Sequence, residues 1–327
     1  MTEVELTSHT YPLDPAGQQE LIELWRSEWT RTDYDWLAAL NGDWADTLQT
    51  TTVMARIDGR AVASATVNFA RQSSETCLVG NVVTLAEWRG RGLAKTVTDA
   101  AVALGFEAGC TMAFLGSSRR NGNVYERCGF TRLAGSIMSR AASPDLDANV
   151  GFSPGQAVEV RDAVWGDMPG FVRLLTQPVA DSVIDYPRGL VAMAHADPLR
   201  CVSAFAVVRE EVDREGGAML VLAARGGHRI FGLATLTPGP GPGRRHRAIV
   251  DVAVHANYAT SRADLASRLL DEAARRKLQL LEARVGAGDS GKLDVLARAG
   301  FQVVGTLRGH LRLRAGDADV MQLEMRL

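Results

Sequence analysis

The spacing of apolar and polar positions along the chain predicts two successive sets of elements. The first half reads as a short strand near 5–12, then a helix over 15–29 with Pro15 near its first turn. A second short helix covers 33–40. Strands over 50–57 and 61–70 are joined by Asp58-Gly59, a strong hairpin signal. A third strand (77–85), a helix over roughly 90–108, a strand at 112–116, a short helix over roughly 122–128 and a final strand complete the set. The second half repeats this order, with strands at 158–164, 218–225, 229–236, 248–256, 280–285, 301–307 and 320–327. Its helices fall at 167–175, 261–277 and 292–300. The stretch AASPDLDANVGFSPGQ (141–156), rich in Pro, Gly, Asp and Ser, separates the halves and reads as a linker. Two domains of one fold are expected, at 1–142 and 157–327, with a linker at 143–156. A repeat of roughly 150 residues is too long for a solenoid.

Composition narrows the partners. With 36 Lys and Arg against 38 Asp and Glu, the net charge of −2 lacks the basic footprint of a nucleic-acid binder. The apolar share of 46% supports sizeable cores. Cys77, Cys110, Cys128 and Cys201 form no CxxC pair and no metal-ligand spacing, and read as reduced thiols of a cytoplasmic protein. The histidines form no HxxxH or HxxH pair, so no metal is expected. The N-terminal MTEVELTSHT is not a secretory signal, and no apolar stretch approaches the ~20 residues of a membrane span. A soluble monomer or homodimer is the expectation.

The chemistry concentrates in WRGRGLAKT (88–96), a Gly-rich turn that leads from a strand into a helix. The first amides of a helix lack intrahelical partners, and the macrodipole adds positive charge there. A pyrophosphate can sit at such an end if the backbone can approach it. Gly90 and Gly92 permit that approach, Arg89 and Arg91 add charge, and Trp88 can anchor the loop. An exposed turn with solvated arginines is the alternative that this motif alone leaves open. NGNVYERCGF (121–130) follows about 30 residues later and adds context to the motif.

Together the two segments resemble the GNAT superfamily of N-acetyltransferases. Its acyl-CoA loop, Arg/Gln-x-x-Gly-x-Gly/Ala, is matched by Arg89, Gly92 and Ala94. Its Tyr-Glu-(Arg/Lys)-x-Gly-Phe helix is matched by Tyr125, Glu126, Arg127, Gly129 and Phe130. The strand order of both halves is also similar to this fold. The resemblance implies an α/β architecture of two tandem folds, each a mixed, mainly antiparallel sheet flanked by helices. It implies acetyl-CoA as acyl donor and a small-molecule amine as acceptor, with direct transfer in a ternary complex. It also implies that pantetheine lies along Val82, Val83 and Thr84, where strand splaying frees backbone groups. The loop Arg89, Gly90, Arg91, Gly92, Leu93, Ala94 and Lys95 would hold the pyrophosphate. An amide near Val83 would stabilise the tetrahedral oxyanion. Tyr125 sits where the family places its general acid, and a phenol can protonate a departing thiolate. Packing on an amphipathic helix is the alternative for Tyr125. Asn121 either bonds the cofactor or caps a helix. The family's common Asn seven residues before the Tyr is Ser118 here, which weakens the cofactor network.

The second half looks like the same fold with decayed motifs. A slide of 172 positions sets Val82 on Val254 and Leu93 on Leu265, so that Gly90 becomes Arg262 and Gly92 becomes Asp264. ARAGF (297–301) matches ERCGF, and the tyrosine position is Leu296. Catalysis is therefore expected in the first half only. A mycothiol-synthase-like or antibiotic-modifying acetyltransferase and a non-enzymatic acyl-CoA-binding sensor are the alternatives. TPGPGPGRRHR (237–247) reads as a solvated loop or as a contact for anions. Trp25, Trp29, Trp36 and Trp44 lie among Glu23, Glu28, Asp33, Asp35, Asp43 and Asp46. They suit either a cationic, polyamine-like acceptor or ordinary helix packing. No general base is evident: Cys77–Leu85 contains no carboxylate.

Overall fold

Asp58-Gly59 forms a two-residue hairpin turn, with Ile57 opposite Arg60 across it. The computed structural model describes residues 3–29, 37–117, 122–147, 149, 151–195, 204–239 and 241–327. Contacts divide the chain into two compact units, 1–148 with 164–173, and 149–163 with 174–327.

The first unit contains strands β1 (Glu5–Thr10), β2 (Leu48–Ile57), β3 (Arg60–Ala70), β4 (Thr76–Thr84), β5 (Met112–Gly116), β6 (Thr131–Ala134) and β7 (Ile137–Ala141). Among the described residues they form one seven-stranded sheet in the order β1-β2-β3-β4-β5-β7-β6. β4 and β5 are parallel and the other neighbours antiparallel. Its helices are α1 (Pro15–Arg26), α2 (Leu37–Asn41), α3 (Leu93–Glu107) and α4 (Gly122–Glu126).

β3 is buried along almost its whole length, because both faces of the sheet are covered. Trp25 of α1 donates from Nε1 to the Ser64 hydroxyl at 3.3 Å. Gly105 of α3 lies so close to Cys77 and Val67 that a Cβ there would meet the Cys77 sulfur at 2.5 Å. Ser64 and Val67 have opposite parity on β3, so the two helices lie on opposite faces. The α1 face carries a polar ladder: Thr52 bonds Tyr11 and Thr66, each at 2.8 Å, and Thr50 donates to Asn68 at 2.8 Å. Trp44 stacks on Trp165 at 4.3 Å.

The second unit repeats the sheet. Its strands are β8 (Val158–Asp162), β9 (Val183–Asp185), β10 (Leu190–Val191), β11 (Ala218–Ala224), β12 (Ile230–Pro238), β13 (Arg247–Val254), β14 (Leu280–Gly286), β15 (Gln302–Leu313) and β16 (Gly316–Arg326). Seven of them follow the order β15-β16-β14-β13-β12-β11-β8, with β13 and β14 parallel. Read from β8, this is the order of the first sheet from β1. The helices are α5 (Met168–Leu175), whose residues 168–173 group with the first unit, α6 (Ala204–Arg214), α7 (Arg262–Arg275) and α8 (Ser290–Arg298). The architecture is two tandem GNAT-like folds, each a mixed, mainly antiparallel sheet flanked by helices.

Three features depart from the sequence pattern. The final strand expected in the first half is the hairpin β6–β7, folded at Gly135, whose φ is 52°. The β15–β16 hairpin extends far beyond its apolar stretches, to Leu313 paired with Gly316. The short β9–β10 pair and α6 had no expected counterpart. No described helix is long and apolar enough to cross a membrane.

Candidate functional site

β4 and β5 pair only from Thr76–Met112 to Val79–Leu115. Beyond that point β4 runs on to Thr84 without a strand partner on its β5 side among the described residues. On its other side it bulges: Thr66 faces Gly80 and Ser64 faces Val83, which leaves one extra residue on β4. Asn81 takes up the bulge with φ 49°, in the left-handed region that Asn tolerates better than most residues. Ser64 donates to the Asn81 carbonyl at 3.2 Å. The Asn81 Nδ2 and Thr84 Oγ1 atoms are buried without a hydrogen-bond partner. Unsatisfied buried polar atoms are costly, and here both lie on the part of β4 that has left β5.

A 3-10 turn at Ala86–Trp88 follows β4, and the chain then passes through Gly90 (φ 78°) and Gly92 (φ 83°). Only glycine reaches this region freely, so both positions require it. Gly92 caps α3 with no side-chain hydrogen bond. The opening amides of α3 therefore have no acceptor from a capping side chain, and the helix dipole adds to their positive potential.

A cleft of about 580 Å³ opens here. Val82, Val83 and Thr84 line it from β4, and Trp88, Arg89, Gly90, Gly92, Leu93, Ala94 and Lys95 from the loop and α3. Val124, Tyr125 and Arg127 come from α4 and the turn after it, and Glu28 from the turn after α1. The structure thus brings together the predicted catalytic and cofactor-binding residues except Arg91 and Asn121. Arg91 is turned away, its guanidinium 4.4 Å above the Trp88 ring. Asn121 and Ser118 lie outside the described residues.

The loop cations are already engaged. Lys95 bonds Asp99, which also accepts from Arg140 at 2.9 Å. Arg89 donates through Nε to the Thr84 carbonyl at 3.1 Å and through Nη2 to the Glu28 carboxylate. Glu28 is one of the acidic residues that the sequence offers to a cationic acceptor, but its contact with Arg89, 61 positions away, is not encoded locally. Its only signal was the acidic and aromatic composition of the first helices.

Tyr125 packs edge-to-face on Phe130, with centroids 6.5 Å apart. Burial, with a smaller contribution from Cys128, pushes its pKa up to about 12. The phenol is therefore protonated throughout the neutral range and can donate. Cys128 is buried, donates to the Val124 carbonyl at 3.3 Å, and is pushed up to about 11, first by burial and then by Asp99. It is a packed thiol, poorly suited to act as a nucleophile. Cys77, Cys110 and Cys128 are all free and buried, and Cys201 lies outside the described residues. Trp25 and Trp44 belong to the core and only Trp29 is exposed, while Trp36 lies outside the described residues.

The equivalent region of the second unit is closed. β13 and β14 also separate, after Val250–Ala283, but the freed edge of β13 is covered by the unit's own chain. Ala180 donates its amide to the Val254 carbonyl at 2.9 Å, and Ala256 donates to Pro178 at 2.8 Å. Val179 bridges to His255. β13 has no bulge against β12. A 3-10 turn at Ala256–Ser261 runs directly into α7, and the Arg262 amide bonds the Ala259 carbonyl. The Arg262 side chain is buried on Asp181, with contacts of 3.0 and 3.1 Å. Asp264 is exposed in the first turn of α7, and Leu296 is buried. Between β13, α7 and α8 lies a small space of about 10 Å³. In the 237–247 loop, Arg247 pairs with Glu282 at 3.0 Å, while Arg244 and Arg245 are exposed.

Residues 18–130 match the model of the acetyltransferase (GNAT) family. No curated protein sequence matches the chain. Solved structures similar to it include a ribosomal-protein-alanine N-acetyltransferase from Brucella melitensis, at 23% identity and a TM-score of 0.42. That match covers 52% of this chain and 99% of the other. A GCN5-related N-acetyltransferase from Kribbella flavida shares 20% identity at a TM-score of 0.42, covering 52% and 98% of the two chains. A phosphinothricin acetyltransferase from Sinorhizobium meliloti, solved in complex with acetyl-CoA, shares 14% identity at a TM-score of 0.41, covering 52% and 88%.

Proposed function

We propose that residues 18–130, a domain of the GNAT acetyltransferase family, transfer an acetyl group from acetyl-CoA to a small-molecule amine in the first unit's cleft. The observation that carries this reading is the convergence of three features on one cavity: the unpaired edge of β4, the glycine-capped start of α3, and Tyr125. Acetyl-CoA would supply the activated acyl group as a thioester. The α3 amides and the loop from Arg89 to Lys95 would hold its pyrophosphate, aided by the dipole. The edge at Val82, Val83 and Thr84 would hold the pantetheine arm, and the orphaned Thr84 hydroxyl fits a polar ligand there. The Val83 region would offer a donor to the carbonyl oxygen as it gains charge.

Tyr125, kept protonated by burial, would hand its proton to the departing sulfur and regain one from solvent. With Cys128 held as a thiol, direct transfer with both substrates bound is favoured over an acyl-enzyme. The second unit would not transfer acyl groups, since its own backbone bonds the corresponding strand edge. The proposed domain limits are 1–142 and 157–327 about a linker at 143–156. An acetyl-CoA turnover screen over small amines, aminoglycosides, aminosugars and peptides tests the function. Thiol release with an N-acetylated product is expected for at least one class. Acetyl-CoA binding without transfer to any class would contradict it.

A further inference from the structure

Among the described residues lining the first unit's cleft, Glu28 is the one carboxylate. Arg89, Lys95 and Arg127 line it too, and the start of α3 adds further positive potential. A cationic acceptor is repelled by that part of the cleft. Glu28 is where a positive charge can rest.

The carboxylate is placed and accessible. Arg89 holds it through Nη2 and is itself tied to the Thr84 carbonyl, so a continuous chain of bonds fixes Glu28 relative to the end of β4. Arg89 contacts only Oε2, and Oε1 accepts no hydrogen bond among the described residues. The two side chains remain 54% and 39% exposed, so a cation from solvent can reach the free oxygen. An exposed ion pair of this kind contributes only about 0–1 kcal/mol to stability, which leaves a binding role open to it.

Which ammonium does it hold? An amine must be neutral to attack a thioester. A carboxylate paired to the reacting nitrogen would favour its charged form. The anchor is better matched to a second ammonium on the same molecule. Resting on the acetyltransferase reading above, we infer that Glu28 binds a distal ammonium of the acceptor, and that the acceptor is a diamine or polyamine. Arg89 is a positioning residue for that carboxylate.

The test compares 1,4-diaminobutane with n-butylamine, with acetyl-CoA as donor, for the wild-type chain and Glu28→Gln. The wild type is expected to show a kcat/KM at least tenfold higher for the diamine. In Glu28→Gln that preference should fall to near unity, through KM for the diamine, with the acetyl-CoA Kd unchanged. The unchanged Kd also reports that the variant is folded. A wild-type ratio near one, a preference that survives Glu28→Gln, or no transfer to either amine by a chain that binds acetyl-CoA would each overturn the inference. Failure of both proteins to bind acetyl-CoA would instead overturn the underlying function, and the inference with it.

Discussion

The two units carry the same sheet in the same order, and in each the central parallel pair separates part-way along. They differ in what meets the exposed edge. In the first unit, β4 lines an open cleft through Val82, Val83 and Thr84, and Asn81 Nδ2 and Thr84 Oγ1 are buried without partners among the described residues. In the second, Pro178 and Ala180 bond the corresponding edge of β13. That covering segment is held by buried charges. Asp289 accepts from the Ser182 amide at 2.7 Å, and the Tyr186 amide donates to Asp251 at 2.7 Å. Lys292, fully buried, donates to Asp251 and to the Val183 carbonyl, each at 2.7 Å. A splayed strand leaves unsatisfied backbone groups, which a fold can reserve for a ligand or satisfy internally. The first unit leaves its edge open and the second satisfies its own.

The comparison can be broken at its most sensitive point by giving the first unit the second unit's residue. Gly92→Asp places an L-residue at φ 83° and a carboxylate at the start of α3. No atom lies within 4 Å of the added Cβ, so strain and charge, not collision, would be responsible. Strain of about 1–3 kcal/mol together with repulsion of phosphate is expected to weaken acetyl-CoA at least ~100-fold in calorimetry. Gly92→Ala isolates the strain and should cost about tenfold or somewhat more. Retained micromolar affinity in Gly92→Asp would count against the cradle.

A second variant probes the closed side. Lys292→Met leaves Asp251 buried without its ammonium, and breaking such a pair typically costs about 3–5 kcal/mol. Burial draws the Lys292 pKa down, but Asp251, Asp181 and Asp289 more than offset it and leave it above the ordinary lysine value. A raised folded pKa means that this contribution is complete below about pH 10.4 and is lost as pH rises through the folded value. Thermal unfolding of the variant should show the second unit's transition lowered, with the acetyl-CoA Kd unchanged. An unaltered transition would mean that the network does not hold the segment.

A third variant addresses the proton donor, Tyr125. Tyr125→Phe keeps the ring on Phe130 and removes the acidic proton. Steady-state kinetics should show kcat reduced by about 10²-fold with the acetyl-CoA KM little changed. A variant as fast as wild type would assign the ring to packing.

How much of this was readable from the chain follows physical range. WRGRGLAKT and the Tyr125 segment were legible because their chemistry depends on neighbouring residues: left-handed glycines, a helix start, a short helix. The Asn81 bulge left a faint trace, Gly80-Asn81 within an apolar strand, which went unused. Glu28 joins the cleft through a contact to Arg89 that no local pattern encodes. The network of Asp181, Arg262, Asp251 and Lys292 was least legible. Charged residues on amphipathic elements read as a solvated face, and their burial follows from a covering segment whose strand β9 spans only Val183–Asp185.

The central claim is that one chain holds one acyl-CoA cradle. Isothermal titration of the 327-residue chain with acetyl-CoA tests it most directly. The account predicts one site per chain, lost in Gly92→Asp. Two sites per chain, or one site that persists in Gly92→Asp, would contradict it.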